Sequence, residues 1–309
     1  MSLSIWLGAL EQGLLWGAMV LGVYITFRVL NYADLTIDGS FTLGAAVATR
    51  LIFAGGNPWL ATFLAVCAGA VAGLITGLLH TKLKIAPLLS GILVMIALYS
   101  INLRIMGQAN LSLLRSDTIF TWMRHIHAGN AGPSLLGLAA VLLVSAGLYL
   151  FLQTELGMAL RATGDNEQMI RSLGVNTDGT KLIGLAMGNA LVAFSGGMVA
   201  QYQGFADIGM GIGMIIAGLA SVIIGEALVG TLTLIRCLLA AVTGSIIYRA
   251  VIALVLQLGM PSTDLKLLTA LIVIIALALP LFRERLGLKA RRRERGEQIA
   301  QAERGNQSF

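Results

Sequence analysis

The chain has 309 residues, 57% of them hydrophobic and only 12% charged, about half the charged fraction of a soluble domain, which excludes a water-soluble globular protein. Its apolar runs are continuous rather than alternating, and several exceed the roughly 18 residues that cross hydrocarbon as a helix, so a β-barrel is excluded and a polytopic all-α membrane protein remains. Of the net charge of +6, the tail after Pro280 supplies eight Lys/Arg against four Glu, a balance of +4; a basic end beside a final span suits cytoplasm and anionic headgroups and does not call for nucleic acid.

Nine apolar segments follow one another, at about 4–29, 36–54, 59–79, 86–106, 134–153, 182–201, 213–230, 236–257 and 265–282, so that 1–282 reads as one membrane domain and 283–309 as a basic tail. The opening "MSLSIWLGALEQG" has neither a basic start nor a small-residue cleavage site and reads as a retained span. Between the first two spans, "NYADLTIDGSFTLGAAV" crowds Asn31, Asp34, Thr36, Asp38 and Ser40 into ten residues. Polar backbone at this depth survives only against protein or water, so an unwound or re-entrant entry is expected, with Asp38-Gly39-Ser40 capping a helix that begins near Phe41.

In the third segment "GAVAGLITG" sets Gly69, Gly73 and Gly77 on one helix face, and "GLAMG" repeats the spacing at Gly184 and Gly188. Small residues four apart let helix backbones approach closely in lipid. Cys67 and Cys237 both sit in apolar stretches and read as small core residues. His125 and His127 in "MRHIHAG" lack a third ligand for a metal.

The longest polar interruption is about 154–181, and within it "RATGDNEQMIRSLGVNTDGTK" reads as a short helix over about 166–172. Thr163 or Asp165 is its expected cap, Gly174 its stop, and Met169, Ile170 and Leu173 its apolar edge. So short a helix cannot stand alone. It needs a partner surface. Lys82, Lys84, Arg161, Arg171, Lys181, Arg236 and the tail fall on one side if all nine spans are real, and that side is then the cytoplasm, C-terminus included; Arg104, Arg115 and Arg124 run against the rule.

Ionisable groups inside spans cost several kcal/mol unless they serve or are paired. They are Glu11, Arg28, Asp38, Arg50, Glu226, Arg236 and Arg249. Arg28, Arg50 and Arg236 lie near span ends and can snorkel. Asp38 and Glu226 each stand beside glycine, in "TIDGSFTLG" and "IIGEALVG", where they either cap a half-helix or line a wet cavity, as in an inverted repeat with broken helices. The chain holds no G-x-x-x-x-G-K-[ST], H-E-x-x-H, C-x-x-C or G-x-S-x-G, so it is not read as an enzyme, and it has no phosphate-binding loop of its own.

Three stretches resemble the permease subunits of bacterial ATP-binding-cassette importers, in the group serving branched-chain amino acids, ribose-type sugars and nucleosides. They are "ALRATGDNEQMIRSLGVNTDGTKLIGLAMGNALVAFSGGMVAQYQGF", "NYADLTIDGSFTLGAAVAT" and "GMIIAGLASVIIGEALVGTLTLIRCLLAAVTGSIIYRA". The second is closest in wording to permeases assigned to aromatic amino acids such as tryptophan and tyrosine. The resemblance implies a type II-like importer permease fold with eight or nine transmembrane helices in a bacterial inner membrane. It also implies a second permease copy, a cytoplasmic ATPase dimer that binds ATP and Mg in this chain's stead, and an extracytoplasmic substrate-binding protein.

Gly164 to Val175 is then the coupling helix, with Arg161, Thr163, Gly164, Asp165, Asn166, Met169, Arg171, Leu173 and Gly174 as its contact residues. Asn31, Asp34, Asp38, Ser40, Asn189 and Glu226 are candidates for the translocation path. Two other classes compete. A self-sufficient ion-coupled carrier would pair acids and bases at midplane, and a lipid-modifying membrane enzyme would need a nucleophile, base or metal cluster.

Overall fold

The computed structural model describes residues 3–125 and 132–257, with 267, 269–271, 273–275 and 278 beyond them. Eleven helices and one two-stranded ribbon are defined among these residues. In chain order they are α1 (Leu3–Val23), running on as a π-helical turn over Tyr24–Val29, then α2 (Thr36–Phe53), α3 (Pro58–Thr81), α4 (Pro87–Met106), β1 (Asn110–Ser112), α5 (Ile119–His125) and α6 (Gly132–Gln153). There follow α7 (Glu155–Asp165), α8 (Glu167–Ser172), α9 (Thr177–Gln203), β2 (Phe205–Asp207), α10 (Met214–Val229) and α11 (Leu234–Gln257).

Local chemistry sets the ends of these rods. Pro58 and Pro87 occupy the first turn of α3 and α4, where a missing N–H costs nothing, and Asn57 caps α3 by accepting from the Trp59 N–H at 2.9 Å. Gly107 and Gly204 close α4 and α9 with φ of 75° and 77°, a left-handed turn that glycine adopts without a Cβ penalty.

Among the described residues six helices are long and apolar enough to cross a membrane: Ile5–Val29, α3, α4, α6, α9 and α11. Two expected spans differ. α2 carries Asp38 and Arg50 within 18 residues and is buried almost throughout; protein rather than lipid surrounds it, so it tolerates that polarity. α10 has only 16 residues, about 24 Å of helix, and begins inside the molecule. The ninth expected segment falls largely outside the described residues, as do His127 and the tail 283–309.

The 27-residue α9 is the axis of the bundle. Ser195 Oγ donates to the Leu15 carbonyl at 2.8 Å and Ser40 Oγ to Asn189 Oδ1 at 2.7 Å, which with the Gly22–Gly188 approach sets α1 antiparallel and α2 parallel to α9. The predicted Gly69–Gly73–Gly77 face of α3 meets α9: a Cβ at Gly69 or Gly73 would overlap the carbonyl of Asn189 or Leu185, and one at Gly77 would press on Leu182. Gly184 instead meets Leu160 of α7, and Gly188 meets Thr26. These glycines serve packing within the chain. Cys67, expected in the core, is exposed on the outer face of α3, and Cys237 is half-buried.

The ends of the bundle sort into two groups. His80 and Lys181 approach at 3.4 Å and Gly164 lies against the Val29 carbonyl, so the α1–α2 and α3–α4 turns share one end with α7 and α8. At the other end β1 pairs antiparallel with β2, Asn110 opposite Asp207.

Candidate functional site

At the first of these ends, α7 and α8 lie across the bundle as two short rods with a break between them. Thr154 caps α7, its Oγ1 accepting from Gly157 N–H at 3.2 Å. Asn166 (φ −155°, ψ 94°) leaves helical geometry and caps α8, its Oδ1 accepting from Met169 N–H at 3.0 Å. The expected caps, Thr163 and Asp165, do not fill that role. Both belong to the last turn of α7, where Thr163 is buried with its Oγ1 bonded to the Ala159 carbonyl at 2.7 Å and to Thr180 Oγ1 at 3.0 Å. Gly164 lets α7 touch the chain at Val29 and Leu30. Thr163 and Gly164 therefore seat α7 on the bundle rather than face outward.

Four charges pin α8 to the start of α9. Arg171 reaches Glu167 at 3.2 Å, Asp178 at 2.9 Å and Thr177 Oγ1 at 2.7 Å, and Lys181 reaches Glu167 at 2.7 Å. The Lys181 hydrogen bond is the main reason the Glu167 carboxyl sits below the usual range, burial opposing it and the charges of Lys181 and Arg171 assisting. Arg171, expected to steer a partner, is thus engaged within the chain, whereas Arg161 stays exposed. Gly174 ends the segment at φ 87°. Beside the exposed Gln168, Arg171 and Ser172, α8 and its C-cap turn two apolar side chains to solvent, Met169 at 58% and Leu173 at 68% exposure.

The polar entry to α2 forms a second cluster. Asp34, fully shielded, accepts from the Thr36 N–H at 2.9 Å and from Asn189 Nδ2 at 2.6 Å. Asn189 returns its Oδ1 to Ser40 and gives a further N–H to the Leu185 carbonyl at 2.9 Å. Asp34, not Asp38, orders the start of α2, which begins at Thr36 rather than near Phe41. Asn31 is exposed with φ 51°. Of the path candidates, then, Asp34, Ser40 and Asn189 come together as a buried lattice, and Asn31 stands apart.

Asp38 has a different task. Its Oδ2 accepts from Gly213 N–H and its Oδ1 from Ile215 N–H, each at 2.9 Å. Gly213 stands at the N-cap of α10 with φ 88° and no side chain to cap it; Asp38, from a helix remote in sequence, provides the missing acceptor and a negative charge at the positive helix end. Asp38 also lines a cleft of ≈ 460 Å³ with Thr42, Tyr99, Ser100, Asn102 and neighbouring apolar side chains. Asn102 went unnoticed in the sequence. Its Nδ2 donates to the Gly39 carbonyl at 3.2 Å while its buried Oδ1 has no partner, and its only signal was an amide inside the apolar run "YSINLR".

Glu226, near the far end of α10, pairs with Arg28 Nε at 2.9 Å. Arg28 does more than snorkel. Glu11 is also engaged, accepting from Ser134 Oγ at 2.6 Å and Tyr202 Oη at 2.7 Å. No cluster of three or more His, Cys, Asp or Glu that could hold a metal occurs among the described residues.

Comparison with known proteins adds family information to this geometry. Residues 5–278 match the family model described as branched-chain amino acid transport system / permease component. The tyrosine transport system permease protein of Clostridioides difficile (strain R20291) is 46% identical over 272 residues, 88% of this chain and 90% of that one. A Methanocaldococcus jannaschii protein named "Probable branched-chain amino acid transport permease protein LivH" is 29% identical over 265 residues, covering 76% and 81% of the two chains. A solved metal-chelate type ABC transporter in an inward-facing conformation overlays 90% of this chain and 85% of its own at TM-score 0.48 and 18% identity, too distant a likeness to argue from.

Proposed function

The chain belongs to the family of branched-chain amino acid transport system permease components, and from that premise we propose that it forms the membrane path of an ATP-driven importer for an amino acid with an aromatic side chain. It draws its energy from a separate cytoplasmic ATPase docked on α8. The cargo follows the tyrosine permease relative. The docking rests on one observation: a helix too short to stand alone is clamped by Glu167, Arg171, Asp178 and Lys181 to the inner end of α9, and it turns Met169 and Leu173 to solvent. Exposed apolar anchors on a rigidly held polar support are what a partner groove selects. Because α9 is also the axis of the bundle, nucleotide-driven movement of the ATPase acts directly on the element that α1, α2 and α3 pack against.

An extracytoplasmic binding protein and a second permease copy complete the assembly in this reading, and the cleft beside Asp38 contributes to the path. A self-sufficient ion-coupled carrier gains nothing from the geometry, since Asp38 and Glu226 are both committed to partners.

Leu173→Asp tests the docking. The side chain is 68% exposed, so the melting temperature of the detergent-purified permease stays unchanged. Reconstituted with its ATPase, the variant loses substrate-stimulated ATP hydrolysis at least about tenfold, the effect of removing ~1.4 kcal/mol from an interface. Wild-type stimulation in that variant would discard α8 as the docking element.

A further inference from the structure

Away from the sites above, α1 and α11 flank an open cleft of ≈ 540 Å³, lined among the described residues by Gln12, Arg249 and Gln257 with Ile5, Ile252 and Leu256 and their small neighbours. Its position is set by backbone contact. Ser245 Oγ donates to the Gly13 carbonyl at 2.8 Å, and a Cβ at Gly13 would lie 2.7 Å from the Ile246 Cα. The two helices therefore touch one turn inward of Arg249 and part beyond it, toward the end opposite α7 and α8.

The Arg249 side chain reaches back past this contact to Trp16, near the middle of the first span, and stacks on the indole with Cζ 3.0 Å from the ring centroid. Among the described residues no carboxylate or carbonyl accepts from it. Its Nε is buried without a partner, as is the neighbouring Trp16 Nε1. Both groups can only donate. A cation at this depth costs several kcal/mol unless it is paired or works on a ligand, and the indole face offsets only part of that cost. Gln12 and, farther along α11, Gln257 add amides, and among the described residues no acid lines the cleft. Fixed donors, a full positive charge and an apolar surround make a receptor for an anion of carboxylate size.

We propose that Arg249, with Gln12 facing it across the cleft, receives the carboxylate of the transported amino acid. This rests on the importer reading and deepens it: the cargo is recognised inside the membrane by its acid group, which every amino acid shares, and side-chain selection is left to other parts of the system. The flat guanidinium offers a carboxylate two parallel N–H groups, and a lysine offers only a point charge.

The test uses proteoliposomes holding the permease with its ATPase and binding protein, and measures ATP-dependent uptake of labelled tyrosine. Arg249→Gln is expected to lose uptake at least about tenfold while basal ATP hydrolysis and melting temperature stay at wild-type values. Arg249→Lys is expected to recover part of the rate at a raised KM. Uptake undiminished in Arg249→Gln would overturn the inference and leave the importer reading standing. Absence of ATP-dependent uptake by the wild type would sink both. Native mass spectrometry adds a further arm: loss of a bound anionic phospholipid from Arg249→Gln, with uptake intact, would assign the cleft to a lipid phosphate and overturn the proposal. Rescue of Arg249→Asp by Asp264→Arg would give the arginine an acid within the chain and overturn it too.

Discussion

Asn189 has no exposure and three hydrogen bonds, one each to Asp34, Ser40 and Leu185, and it is the residue through which α2 and α9 recognise each other. An amide suits this position because it donates and accepts at once: Asp34 needs a donor and Ser40 an acceptor. Asn189→Leu keeps the volume and removes both functions, leaving a buried carboxylate with one partner fewer. Such a loss costs about 2–4 kcal/mol, and thermal denaturation in detergent should record it as a clear fall in melting temperature. The polar crowd at Asn31–Ser40 and Asn189 were both legible as path candidates, but the bonds that join them were not, since hydrogen bonds across 149 and 155 residues leave no local pattern. The Thr163 and Asp165 caps failed for a related reason. Either is a good cap by type, but the chain stays helical through Asp165 because Thr163 is held by Ala159 and Thr180 and Gly164 seats the helix on Val29.

The segment boundaries were legible to within a few residues for eight of the nine expected spans, because hydropathy over twenty residues is a summed signal and prolines, glycines and asparagines mark its edges. What each segment does was less so. α10 looked like a span; it is a half-length helix hung from Asp38. Asp38→Ala should release the amides around Gly213–Ala217 to hydrogen exchange and weaken the start of α10 by about 0.5–2 kcal/mol, while Asp38→Asn, which keeps one acceptor oxygen and turns the other into a donor, should retain one of the two bonds and part of the protection. Equal exchange in the two variants would mean that one neutral acceptor does not hold the end of α10, and that the full carboxylate is needed. α8 shows the opposite case. Its length, edge and terminus were readable from "NEQMIRSLG", yet the clamp that fixes it needs Asp178 and Lys181 of α9.

At the scale of the whole molecule, the alternation of helices assigns most of the described connections to one end or the other, the loop into α10 excepted. The turns after α1 and α3, the pair α7–α8 and the turn before α11 share one end; the turn before α3, the β1–β2 ribbon and α5 share the opposite one. With α8 in the cytoplasm, single cysteines in a background lacking Cys67 and Cys237 should report this directly. Asn57→Cys and Arg115→Cys should react with a membrane-impermeant maleimide in spheroplasts, Lys84→Cys and Gln168→Cys only after lysis. Reversed labelling would put the apolar edge of α8 outside and leave no ATPase within its reach. Arg115 contradicts the charge rule on this assignment. It lines, with Asp117, Asn57, Trp59 and Trp122, a cleft of ≈ 660 Å³ at that end of the bundle, and the rule is a bias over loops in aggregate that one arginine does not overturn.

The glycine contacts along α9 carry a mechanical consequence. Gly22 against Gly188, Gly44 against Ala193, Gly73 against Leu185 and Gly196 against Phe41 bring main chain onto main chain on three sides of one rod, with no flexible side chain between them to act as a bearing. A piston needs clearance, and this one has none. A stroke delivered to its α8 end should therefore carry α1, α2 and α3 with it along the roughly 40 Å to the ribbon. The alternation of access must then come from slip at the border of this welded block, not from play inside it.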